Sequence, residues 1–444
     1  MATHLVKQGY PVTGFDVYAP TLDRFASAGG TPSTSLSASA ADKPFYICMV
    51  ATAQQAEDAL FGADGIVKGL PEGAVLYLTS TVPSAYAQSV EKKLAEIGRG
   101  DVLFIDAPVS GGAIRAADGT LSIMAGASEA AFEKGKFLLD ELTAPGKLFI
   151  VKGGVGAGSN MKMVHQVLAA IHIISVSEAF GFAARLGLNG TEVREHVIKG
   201  EAWSWMFENR SVRTLKEDYF PGASAVTIII KDTVRMCGWD GKGVGGCISR
   251  EGKNDEGTND RSQGIITSMA NLVDFPVPLC SIAEQLYITG LNKDYGPNDD
   301  AGLVRLWTTD PVSSIQSSLS DDEKKAKLEL VTNLLVGIHL VAAAEGVSFA
   351  KHLGVPLAQY YELCVDAAGG SVQFKEQGAK MVEILEGKQQ DVSLQSYRDG
   401  LKAVVAEARD KRIPVHLVNG ALSLLEQAGK DVNLSSLLKL YSVA

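Results

Sequence analysis

The sequence predicts an α/β domain with a doubly wound parallel sheet, followed by two all-helical domains. Three observations lead there. Short apolar runs alternate with helical stretches over the first 150 residues, long apolar segments at helical spacing take over from about Gly153, and one of those segments recurs further on. The chain has 444 residues, 46% of them hydrophobic and 21% charged, enough for several domains with substantial cores. A net charge of −10 argues against a nucleic-acid partner and leaves any anionic ligand in need of a local binding pocket. The five cysteines form no CxxC pair, which suits a reducing compartment, and no His/Cys cluster predicts a metal. The apolar run Leu334 to Ala344 contains His339 and stops at Glu345, too short to span a bilayer, so no membrane association is expected.

Taken in order, Tyr10 to Val17, Phe45 to Val50, Ala74 to Leu78 and Val102 to Ile105 read as buried strands. Thr21 to Ala28, Ala53 to Leu60 and Ala85 to Ile97 read as the helices between them. In such a sheet ligands sit beyond the carboxyl ends of the strands. The residues to examine are therefore Asp16, Met49 to Ala53, Ser80 to Val82 and Asp106 to Gly112. An acidic residue at Asp16 suits a ribose 2′-hydroxyl and repels a 2′-phosphate, although a plain turn residue reads as well. The opening MATHLVKQGYPV reads as the helix after a glycine-rich phosphate turn, so the first strand and that turn are expected to be missing.

Beyond Gly153, Met161 to Leu188 reads as a buried helix. Val164 to Gly187 matches Val331 to Gly354 at an offset of 167, aligning Ile171-His172 with Ile338-His339 and Glu178 with Glu345. Asp232 falls opposite Asp399 at the same offset, and FPVPL at Phe275 matches IPVHL at Ile413 at an offset of 138. These colinear matches predict a duplicated helical domain. The first copy carries 29 more residues before Phe275, which points to an insertion over 233–263, glycine-rich and without periodicity, of the kind a retained intron would encode. Its GKGVGG lacks the strand-to-helix context of a phosphate loop. Domains of 1–150, 151–312 and 321–444 follow.

Two motifs carry the chemistry. DAPVSGGAIRAADGTL, from Asp106, exposes consecutive backbone N–H groups and a hydroxyl at a strand end, a cradle for a carboxylate; without other context a plain glycine turn is the simpler reading. GGVGAGSNMKMVHQ, from Gly153, places Ser159-Asn160 to cap the buried helix, Lys162 in its first turn, and His165 and Gln166 one turn later. A lysine on an apolar helix is costly unless used or paired, and a desolvated one can exchange a proton with a hydroxyl. A lysine snorkelling from a helix end is the alternative.

With LTSTVPS (Leu78 to Ser84) and the pair Lys231-Asp232, these motifs closely resemble the β-hydroxyacid dehydrogenase family, which includes 3-hydroxyisobutyrate, L-threonate and 6-phosphogluconate dehydrogenases. The resemblance runs from Met1 to about Trp307, apart from the insertion. It implies a Rossmann-type NAD-binding domain and 6-phosphogluconate-dehydrogenase-like helical domains. It further implies that Asp16 selects NAD over NADP, and that Met49, Val50 and Thr81 line the nicotinamide and ribose. Ser110, Gly111 and Gly112 would hold the substrate carboxylate, and Lys162 would be the general acid/base. His165 and Gln166 would orient substrate, with Asp232 supporting the site. Most members have Asn where this chain has His165; the Lys-x-x-His-Gln form points to an L-threonate-type acid over hydroxyisobutyrate.

The second copy has Glu329, Thr332 and Asn333 opposite Lys162, His165 and Gln166, so it is expected to be structural. The assembly is either a homodimer or a monomer whose second copy replaces the partner subunit. A small hydroxy acid is the expected substrate. The expected location is cytoplasmic, or mitochondrial if the true start lies upstream. The competing expectation is a catalytically impaired relative that binds NAD weakly for want of its phosphate turn.

Overall fold

A computed structural model of the chain describes residues 1–220, 222, 224–233, 265–390 and 392–442. The residues group into two compact units, Met1–His165 with Leu353–Leu363, and Gln166–His352 with Cys364–Ala444.

In the first unit β1 (Thr13–Gly14) and β2 (Thr31–Pro32) pair in parallel as a small sheet of their own. The main sheet holds β3 (Phe45–Cys48), β4 (Val75–Leu78), β5 (Leu103–Asp106), β6 (Val109–Ser110), β7 (Leu121–Ala127) and β8 (Thr143–Ile150). Its order is β3-β4-β5-β7-β6, with β8 on β7. β3, β4 and β5 run parallel, with Cys48 beside Leu78 and Leu78 beside Asp106, so their carboxyl ends line up. β4 is buried throughout, as a strand covered on both faces must be. Leu76 and Leu78 enter one apolar cluster, while Val75 and Tyr77 enter the other.

The far side departs from the expected all-parallel sheet. β7 runs antiparallel to both β5 and β6. The stretch between β6 and β7, largely the short Gly112–Asp118 helix, is too short for the crossover that parallel strands need.

The second unit is helical. Two helices, Ala157–Arg185 (which begins in the first unit) and Asp321–His352, are long and apolar enough to cross a membrane by length and composition alone. Their apolar stretches are mostly buried inside the protein, which accounts for the absence of a polar face.

Within this unit, residues 167 apart meet one another. The His172 and His339 rings lie 4.4 Å apart. Ser204 bridges Ser371 in antiparallel fashion. Around that bridge Trp205 N–H donates to the Gly370 carbonyl at 2.9 Å, and Val372 N–H to the Trp203 carbonyl at 3.1 Å. Trp203 and Trp205 are the counterparts of Gly370 and Val372, so the exchange is reciprocal. A residue touching its own counterpart is the mark of a twofold, isologous contact, here made within one chain.

The repeated glutamates are exchanged in the same way. Glu178 accepts from the backbone N–H groups of His416, Leu417 and Val418 at 2.9, 3.1 and 3.1 Å, closing the start of the His416–Gln427 helix. Glu345 accepts from Leu279 and Cys280, both at 2.9 Å, at the start of the Pro278–Leu291 helix. Each carboxylate satisfies orphan donors of a helix in the other copy. Burial pushes both carboxyls up to about 7, against the amide bonds that hold them down.

Candidate active site

The residues following the aligned strand ends sit as the parallel sheet requires. Val50 N–H donates to the Ser80 hydroxyl at 2.8 Å, tying the loop after β3 to the loop after β4. Thr79 donates to the Cys48 carbonyl at 3.2 Å. Thr81 is half-buried, and the Met49 side chain is 52% exposed at this edge. Asp16, just after β1, is half-buried and accepts from the Tyr18 N–H at 2.8 Å. A carboxylate after one strand and an exposed methionine after another, its sulfur held by the Thr79 hydroxyl at 3.2 Å, fit a dinucleotide laid across the carboxyl ends of the strands.

The second cluster is built around Asp106, the last residue of β5. Its carboxylate is fully buried and accepts from the Gly156 N–H at 3.1 Å, the Ser159 N–H at 2.8 Å and the Ser159 hydroxyl at 2.7 Å. Burial pushes this carboxyl up to about 6, opposed by those three donors. The start of the Ala157–Arg185 helix is thereby pinned to the end of β5. Glycine permits so close an approach: a Cβ at Gly158 would stand 2.4 Å from the Met124 carbonyl oxygen and 2.8 Å from that of Asp106.

Ser159 and Asn160, expected to cap the helix from outside, lie within its first turn, because the helix begins at Ala157. Ser159 works through Asp106. The Asn160 amide oxygen is covered and has no hydrogen-bond partner among the described residues. Lys162 consequently sits in the second turn, only 5% exposed, with His165 fully buried one turn on and Gln166 following.

Four residues after Asp106, Ser110 ends β6, half-buried. Gly111 follows with φ 136°, a conformation that side-chain-bearing residues rarely adopt, and Gly112 opens the next short helix. One carboxylate thus joins the base of the SGG turn to the helix that carries Lys162. Asp232 lies on the Val226–Thr233 helix; its side chain and nearly all of the insertion expected over 233–263 are outside the described residues. The pinning role of Asp106 was not legible from the sequence. Its signal was an Asp at a strand end together with a Ser in a glycine-rich helix start.

Comparison with known proteins bears on the family and the fold. The NAD binding domain of 6-phosphogluconate dehydrogenase matches residues 1–156. The NAD-binding domain of NADP-dependent 3-hydroxyisobutyrate dehydrogenase matches 156–237 and again 325–441, so both helical copies answer to one pattern. L-Threonate dehydrogenase of Cupriavidus necator is 31% identical over 307 residues, covering 69% of this chain and 91% of that protein. A crystal structure of 3-hydroxyisobutyrate dehydrogenase from Salmonella typhimurium is 29% identical, with a TM-score of 0.58 over 69% of this chain and 94% of its own. Plasmodium falciparum 6-phosphogluconate dehydrogenase, only 14% identical, shares the fold over 97% of this chain and 90% of its own at a TM-score of 0.64. The chain belongs to the β-hydroxyacid dehydrogenase family, an NAD(P)-binding oxidoreductase of hydroxy acids with a Rossmann-type first domain.

Proposed function

We propose that the protein oxidises a small hydroxy acid of the L-threonate type with NAD. The observation that carries this reading is the buried Lys162 on a helix whose start is pinned by Asp106, next to the strand that runs into Ser110-Gly111-Gly112. The backbone N–H groups and hydroxyl of Ser110 to Gly112 bind the substrate carboxylate, the anion-binding task that a net charge of −10 leaves to local groups. Lys162, as the neutral amine, takes the hydroxyl proton as the carbonyl forms and returns it in the reverse direction. Bound NAD supplies the hydride acceptor. His165 and Gln166 orient the polyol, and Asp232 supports the site from the helical region. Asp16 disfavours the 2′-phosphate of NADP by charge repulsion. The threonate-type choice rests on the Lys-x-x-His-Gln spacing and on the L-threonate dehydrogenases among the relatives. Those relatives are bacterial, which favours a cytoplasmic enzyme.

Absorbance at the reduced-nicotinamide band across threonate, erythronate, hydroxyisobutyrate, glycerate and phosphogluconate tests the reading. Threonate should give the highest kcat/KM, and NAD should outperform NADP. Lys162→Ala should lose turnover by about a thousandfold or more while NAD still binds. Wild-type turnover in that variant would sink the assignment. A second reading, a fold-retaining relative that binds NAD weakly, is favoured by one observation: β1–β2 forms a sheet separate from the main one. Calorimetric titration with NAD separates the two, since weak or absent binding alongside an intact fold supports the second.

A further inference from the structure

We infer that the second helical copy, which lacks the lysine, acts on the first copy's lysine through Tyr360, a positioning residue for Lys162; this rests on the reading of Lys162 above. Tyr360 lies on the Leu357–Val365 helix and is fully buried. Its hydroxyl donates to the carbonyl of Val164 at 3.2 Å, two residues beyond Lys162 and one before His165. One residue earlier, the Gln359 side-chain N–H donates to the Ile150 carbonyl at 3.1 Å, at the end of β8. That strand leads directly into the glycine stretch which Asp106 pins. The turn carrying Lys162 is therefore held at its start by Asp106 and from the side by Tyr360. The neighbouring segment Leu353–Leu363 belongs to the same compact unit as Lys162, although it comes from the second copy.

The sequence of the two copies supports a specialised role. At the offset of 167 the counterpart of this helix is Gly190–Ile198, where Glu192, Val193 and Arg194 stand opposite Gln359, Tyr360 and Tyr361. Two charges and a valine face an amide and two tyrosines. The second copy thus carries the hydroxyl of Tyr360 where the first has the buried Val193, and an amide and a second phenol where the first has Glu192 and Arg194, which pair with Lys324 and the Ser211 hydroxyl. Two identical subunits could not differ in this way, whereas two halves of one chain can. A hydroxyl on a helical carbonyl adds a donor to a group that already serves the helix, which fixes the carbonyl direction without breaking the turn.

Tyr360→Phe keeps the ring and removes only the hydroxyl. The expected result is a loss of kcat of about fivefold, the size of one hydrogen bond, with KM and NAD affinity within about twofold of wild type. A general loss of fold would instead lower active-site content without that split. In parallel, acetic anhydride labelling followed by mass spectrometry should modify Lys162 faster in Tyr360→Phe, relative to the exposed lysines of the same chain. Glu362→Ala, exposed on the same helix, should leave both readings unchanged. Gln359→Leu serves if Tyr360→Phe fails to fold, and should show the same accelerated labelling. Wild-type kcat together with wild-type labelling in a folded Tyr360→Phe overturns the proposal. Labelling needs no substrate, so it decides the matter even if the wild-type chain oxidises no hydroxy acid.

Discussion

The two helical copies share a scaffold and differ in what that scaffold carries. Both place a histidine at the twofold contact and a glutamate at a helix start of the other copy. Only the first has the buried lysine; at the matching place the second has Glu329, exposed on its helix. Packing positions have been kept in both because each is half of a single interface. The buried lysine stands in one copy alone, which on the proposed function leaves the other copy to a supporting part.

The comparison breaks most severely if the copies are separable. Removing residues 321–444 takes away Glu345 and one wall of the apolar Ala157–Arg185 helix, so the shortened chain should aggregate or fail to fold. A soluble, cooperatively melting 1–320 chain would show that the interface is dispensable.

Next in size are the exchanged glutamates. Glu178→Ala and Glu345→Ala each leave buried backbone donors without acceptors, and each should cost about 2–4 kcal/mol in urea unfolding. The two losses should be alike to about 1 kcal/mol if the copies are energetically equivalent halves. A harmless Glu345→Ala beside a severe Glu178→Ala would break that equivalence.

A comparable effect, spread over several pH units, comes from the tilted pair of histidines. Burial pushes His172 down to about 3 and His339 well below its ordinary value, with its neighbouring ring adding to the shift. The unfolded chain takes up these protons near pH 6.5 and the folded chain does not, so stability falls as pH drops from about 6.5 towards 3. The slope is about 1.4 kcal/mol per pH unit for each ring. Glu178 and Glu345 oppose this, because their raised folded values make stability fall as pH rises from about 4.5 to 7. The difference between wild type and His172→Phe isolates one ring. The variant's stability should decline less steeply between pH 6.5 and 4, and identical slopes would contradict a buried neutral pair.

The smallest expected effect is at Glu329, the counterpart of Lys162 in the second copy. Glu329→Ala should leave turnover unchanged and stability within about 0.5 kcal/mol, as for other exposed substitutions. A large loss of activity there would assign the second copy a chemistry of its own.

Much of this was legible in the sequence, for a physical reason. The run Ala74 to Leu78 is short and apolar, and a strand buried on both faces leaves that signature wherever it lies. Phe45 to Cys48 forms a strand as expected but is largely half-buried, and of Tyr10 to Val17 only Thr13–Gly14 is a strand, also half-buried. The offset of 167 between His172 and His339 was countable before any contact was known. Legibility failed where function depends on contact between distant segments. Nothing local in Asp106 shows that it caps a helix more than fifty residues later, and nothing in Tyr360 shows which carbonyl it meets. β7 was missed because LSIMAGA mixes small and apolar residues without a clear period, and its antiparallel direction depends on how little chain precedes it.

The reciprocal bridge between Trp203–Trp205 and Gly370–Val372 has a consequence for dilution. An interface between separate subunits is lost once concentration falls below its dissociation constant, whereas one closed within a chain has a fixed effective concentration. The hold that this contact gives the two copies on each other is therefore the same at nanomolar as at micromolar protein.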